Sequence, residues 1–197
     1  MADDPNTRER ILHTASGLFQ RQGYHATGLN QVLAEGKAPK GSLYFHFPRG
    51  KEQLAAEAVT AGAHEVRDEL RGALDAARGP VDGLGMVADF LGARLVATGF
   101  RAGCPVATVA LDMAGESETI RTACAAGYAS WGVAIAERLA DWGVPVQRRE
   151  SLATVVIAAF EGALLLARVR HEVTPLHEVA ELVGDLVQRE CPATTAL

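Results

Sequence analysis

At 197 residues the chain is long enough to bury a core of its own and short enough for one or two domains. With 48% hydrophobic and 22% charged residues it is not a self-solvating disordered tail. A formal charge of -5 excludes a general nucleic-acid coat, yet up to Lys51 seven basic residues face four acidic ones, a balance of +3 that leaves -8 for the remainder, and all three lysines fall between 37 and 51.

Residues 1–5 read as a loose tail. Asn6 with Glu9 three residues on has the form of a capping box, and Ile11, Leu12, Ala15, Leu18 and Phe19 follow at helical spacing. The first helix is therefore expected from about Thr7 to Gln22, stopped by Gly23. Thr27 suits the N-cap of a second helix that carries Leu29, Val32 and Leu33 and ends at Gly36.

Pro39 suits the first turn of a third helix, where no amide hydrogen is missed. Lys40, Gly41 and Ser42 then lie on that first turn, donor-rich and nearly free of bulk, which is what a helix must show if its N-terminal end enters a DNA major groove. Leu43 and Phe47, four apart, form the apolar stripe that holds it to its neighbours. Tyr44, His46 and Lys51 are placed to reach phosphates. Three helices with a tight turn between the second and third make a helix-turn-helix module.

Phe47-Pro48-Arg49-Gly50 is a break, after which Lys51 to about Arg78 lacks proline and reads as one long helix. Gly79-Pro80 ends it. A fifth helix spans about Val81 to Thr98, a sixth Val106 to Ala114 and a seventh Ser117 to Trp142. Gly143-Val144-Pro145 separates these from an eighth at about Gln147 to Arg170, and a ninth runs from about Pro175 to Glu190. No strand pattern is evident. The expected fold is all-α with about nine helices: a helix-turn-helix DNA-binding domain over 1–50 and a larger helical domain over 51–197.

Helix eight holds the longest apolar stretch, Leu152 to Val169, interrupted by Glu161 and Arg168, so a doubly buried helix is expected rather than a membrane span. Ala158, Ala159, Gly162 and Ala163 permit close approach. A core on one face and a second subunit on the other would satisfy such a helix, and with helix nine it would form a four-helix homodimer interface.

Residues 11–51 resemble the TetR family of transcriptional repressors, through Leu18-Phe19, Gly23-Tyr24, Thr27, the run Lys40-Gly41-Ser42-Leu43-Tyr44-Phe45-His46-Phe47, and Lys51. Gly103-Cys104-Pro105-Val106 and Glu161-Gly162-Ala163-Leu164 resemble its lincomycin-resistance regulator (LmrA/YxaF-like) branch. The resemblance implies a homodimer, two DNA-reading heads on a near-palindromic double-stranded operator, and a small-molecule effector in each C-terminal domain whose binding releases DNA. It carries DNA contact to Thr27, Lys40, Gly41, Ser42, Tyr44, His46 and Lys51. The family usually has glycine where this chain has Lys37, the glycine here falling one earlier at Gly36. Lysine tolerates a left-handed backbone poorly, so either the turn is reshaped or Lys37 is strained.

Phe90, Phe100, Met113, Tyr128, Trp131 and Phe160 either line a cavity for a flat apolar effector or belong to the core, since helical spacing fits both. Glu161 faces solvent, pairs with an arginine such as Arg94, or meets the ligand. Cys104 is a sensor thiol or an inert buried cysteine. Cys104, Cys124 and Cys191, odd in number and far apart, read as reduced thiols of a cytoplasmic protein, and no export signal is evident. His171 and His177 lack zincin spacing, and no phosphate loop, nucleophile elbow or carboxylate pair is present, so neither catalysis, a metal nor a cofactor is expected. The rival reading is an all-helical small-molecule-binding protein or enzyme with no DNA role.

Overall fold

A computed structural model describes residues 6–191, and among these every regular element is helical. In chain order they are α1 (Asn6–Gln22), α2 (Leu29–Glu35), α3 (Ser42–His46), α4 (Gly50–Ala76), α5 (Pro80–Ala97), α6 (Ala107–Met113), α7 (Glu118–Asp141), α8 (Val146–Arg170) and α9 (Thr174–Glu190). The all-α expectation holds for the described residues. The tail at 1–5 and the side chain of Asn6, with its capping box, lie outside them.

Two boundaries differ from expectation. Gly28, with extended backbone, is the N-cap of α2, and Thr27 is turned inward, its hydroxyl donating to the Gly23 carbonyl at 2.7 Å. The third helix begins at Ser42, whose amide and hydroxyl both donate to the Pro39 carbonyl, at 3.0 and 2.7 Å. Those two bonds close a turn over Lys40 and Gly41, which precede the helix instead of forming its first turn.

By packing, the chain divides into two units: Met1–His64 with Ala102–Tyr128, and Glu65–Arg101 with Ala129–Leu197. This division differs from one drawn at residue 50, because α4 and α7 each contribute to both units. In the first, α1 packs on α2, α3 and α6. Its core holds Ile11, Leu18 and Phe19 of α1, Val32, Leu43 and Phe47 of the helix-turn-helix, Leu54 of α4, and Val106, Val109 and Ile120 of the later stretch.

In the second unit α5 lies along α9, and α8 packs on α9. Leu84, Val87 and Leu95 of α5 are buried with Leu152, Val156 and Phe160 of α8 and Leu176, Val183 and Val187 of α9. Within this chain α8 is buried on one face only, the face expected to meet its own core. Its other side exposes Val155, Leu165 at 60%, Leu166 at 46% and Val169 at 72%, and α9 exposes Leu182 and Leu186. Among the described residues α8 alone has the length and apolar composition to cross a membrane, features it shares with core helices of soluble proteins.

Candidate nucleic-acid interface

The third helix has five residues, too few to hold itself in water, so packing must do it. Leu43 and Phe47 are buried to within 1% of complete, and the Arg8 guanidinium lies 5.1 Å from the centre of the Phe47 ring. Two anchors four residues apart fix the rotation of α3 about its axis, which decides what the opposite side presents. That side carries Tyr44 and Phe45, 63% and 73% exposed, and the preceding turn carries exposed Lys40 and Gly41.

Ser42 is half-buried, and because its hydroxyl hydrogen goes to Pro39, only its lone pairs remain for a partner. His46 is half-buried with Nε2 out of solvent, its ring edge-on to Phe45 at 5.1 Å. Thr27, 1% exposed, is the one member of the expected DNA-contact set that does not reach the surface. Its hydroxyl stabilises the turn between α1 and α2.

The turn between α2 and α3 explains the displaced glycine. A Cβ on Gly36 would meet the Val32 carbonyl oxygen of α2 itself at 2.9 Å and, more loosely, Thr14 Oγ1 of α1 at 3.2 Å, so glycine is favoured at this helix end. The left-handed position then falls on Lys37, with φ 49°, whose amide donates to the Ala34 carbonyl while the Ala38 amide donates to the Leu33 carbonyl. That pair of bonds is a Schellman ending with lysine where glycine is usual, so the backbone is kept and the lysine is strained.

Lys51, at the start of α4, sits with Nζ 4.2 Å from the centre of the Tyr24 ring. Burial pushes its ammonium below the ordinary lysine value, opposed by the charge of Asp112. Burial, then Glu52 and Glu116, push the Tyr24 phenol up. Asp112 of α6 accepts the Tyr24 amide at 2.8 Å and the His25 amide at 3.4 Å.

Phe45 and Asp112 belong to this region although neither is among the expected contacts. Phe45 stands two places from each anchor of the Leu43–Phe47 stripe, so helical spacing alone puts it outward. Asp112 carried no local signal, since its partners lie 87 and 88 residues away.

The residues proposed for effector contact do not share one unit. Cys104, Met113 and Tyr128 belong to the first, and Phe90, Phe100, Trp131, Phe160 and Glu161 to the second. Cys104 is buried, and its Sγ accepts the amides of Val106 and Ala107 at 3.4 and 3.3 Å, the role of a cap for α6. Met113 is also buried and Tyr128 half-buried. In the second unit Trp131 and Phe160 are buried, while Phe90 and Glu161 are half-buried. Phe100, with φ 60°, stacks on His171, with φ 57°, at 5.3 Å. The Arg94 side chain, considered as a partner for Glu161, holds Glu69 at 3.0 and 3.1 Å. Burial raises the thiol pKa of Cys124, and burial with Glu190 raises that of Cys191.

Comparison with known proteins agrees with this geometry. The family model "Bacterial regulatory proteins, tetR family" matches residues 11–58, and "Transcriptional regulator LmrA/YxaF-like, C-terminal domain" matches 80–182. The chain is 39% identical over 184 residues to the HTH-type transcriptional regulator LmrA of Bacillus subtilis, covering 93% of this chain and 98% of that one. It is 38% identical over 190 residues to YxaF of the same organism, an HTH-type transcriptional regulator, covering 96% and 100%. Among solved structures, a TetR transcriptional regulator from Chloroflexus aurantiacus aligns with a TM-score of 0.78 at 27% identity over 94% of this chain and 96% of that one. A regulatory protein TetR from Rhodobacter sphaeroides shares the fold with a TM-score of 0.81 at 22% identity, covering 91% and 98%.

Proposed function

The chain belongs to the TetR family, in its LmrA/YxaF-like branch, and is a DNA-binding transcriptional regulator; from that premise we propose that it represses transcription as a homodimer released from its operator by a small hydrophobic or aromatic effector. The observation that carries the DNA side is the construction of α3: two buried anchors, with Lys40, Gly41, Tyr44 and Phe45 turned to solvent. Lys40 reads base edges, with Ser42 accepting from a base donor, and Tyr44, His46 and Lys51 hold phosphates. The reading role belongs to residues 1–50, and the effector and dimerisation roles to 51–197.

The exposed aliphatic residues of α8 and α9 support a two-fold pairing of these helices. In such a dimer two copies of α3 enter successive major grooves roughly 34 to 36 Å apart on a near-palindromic site in the cytoplasm. For the effector we carry forward the second unit's Phe90, Phe100, Trp131, Phe160 and Glu161. Coupling between effector and DNA is reciprocal: each weakens the other by the same factor.

Selection of bound fragments from the host genome tests the reading. Enrichment of one near-palindromic duplex is the expected result, and its neighbouring genes point to the chemistry sensed. Binding with no preference among fragments overturns operator recognition. Equal effector affinity for free and operator-bound protein overturns the release mechanism.

A further inference from the structure

In the first unit the end of α1 forms a small backbone cup. Gly23 has φ 78°, and the next two amides, of Tyr24 and His25, converge on one point. Successive amides after a left-handed residue make an anion-binding concavity. Here the anion is internal: Oδ2 of Asp112 accepts both amides, and a Cβ on Gly23 would lie 2.5 Å from that oxygen.

The stretch bearing Asp112 is fastened to the same region at other points. The Gly103 amide donates to the Gln20 carbonyl at 3.0 Å, the Ser117 hydroxyl donates to Glu52, and His25 Nε2 lies 3.8 Å from Glu116. The residue held most directly by Asp112 is Tyr24, whose ring stacks on Phe19 at 6.0 Å and forms the shelf under Lys51 Nζ.

We propose that Asp112 is a positioning residue for DNA binding: by filling the cup after α1 it sets the Tyr24 ring, and that ring aims the Lys51 ammonium at the phosphate backbone. The proposal rests on the assignment of Lys51 to phosphate. It puts one determinant of affinity at residue 112, outside the 11–58 segment that matches the family's DNA-binding domain.

The test is a double-mutant cycle with Lys51→Ala on a random-sequence duplex, because a phosphate contact is independent of sequence. Asp112→Ala is expected to weaken binding several-fold and lower the salt dependence by about one unit of slope, as Lys51→Ala does. The double variant is expected to bind no worse than Lys51→Ala alone. Asp112→Asn, which keeps an acceptor for the Tyr24 amide, is expected to recover most of the loss. Additive losses, an unchanged salt slope in Asp112→Ala, or equal losses in the alanine and asparagine variants overturn the proposal. If Asp112→Ala fails to fold, Tyr24→Leu replaces it in the cycle, and a salt slope equal to wild type then overturns the proposal. Lys51→Ala with no effect on salt dependence instead overturns the phosphate assignment on which the proposal stands.

Discussion

Helices α3 and α8 solve opposite problems with the same means. Each buries one face in its own unit and leaves the other open, but α3 opens Tyr44 and Phe45 beside Lys40, whereas α8 opens Val155, Leu165, Leu166 and Val169. A polar and aromatic face with a lysine is stable in water and gains from a polyanion with base edges to touch. An aliphatic face of this extent gains only from another apolar surface. The difference teaches that exposure alone does not define a site: the chemistry of the exposed atoms selects the partner.

The comparison breaks most severely at the anchors. Leu43→Ala is expected to cost about 2 to 5 kcal/mol by leaving a cavity under α3, read as a lower urea midpoint together with loss of operator binding. The matching change on α8 is Leu166→Lys with Val169→Lys. Placing two ammonium groups in the paired interface is expected to raise the dimer dissociation constant by at least about 30-fold, equivalent to about 2 kcal/mol, while the monomer stays helical. A dimer dissociation constant equal to that of the unsubstituted chain, measured by sedimentation over a dilution series, would remove α8 from the interface.

Smaller effects sharpen the picture of α3. Lys40→Ala is expected to relax preference at particular base pairs at a cost of about 1 to 3 kcal/mol, measured by binding to single-substitution operators. A uniform loss across all duplexes would move Lys40 from base to phosphate. The smallest change runs the other way. Lys37→Gly is expected to stabilise by about 0.5 to 1 kcal/mol, seen as a higher Tm, because glycine takes the left-handed ending of α2 without strain and loses part of that gain through unfolded-chain entropy.

Much of this architecture was legible in the sequence where its cause is local. Gly23, Gly79-Pro80 and Gly143-Val144-Pro145 punctuate the helices through their own backbone preferences, and the four-residue spacing of Leu43 and Phe47 marks the buried side of α3. The site was less legible. Thr27 has the right chemistry for a cap or a phosphate contact, yet the Gly23 carbonyl lies close enough to take its hydroxyl. For the effector residues, apolar spacing on a helix is the same for core and cavity.

The amino-acid order by itself determined the helices, their stops, the basic front and the family, because these follow from spacing, backbone preference and charge within a few dozen residues. Tertiary structure alone decided that Gly36 must lie against α1 and hand the left-handed turn to Lys37, that α8 is open on one side, and that Asp112 fills the cup at Gly23. The last two depend on atoms brought together from distant parts of the chain, and the first in part, through Thr14 of α1 beside Gly36; close packing fixes such distances only after folding.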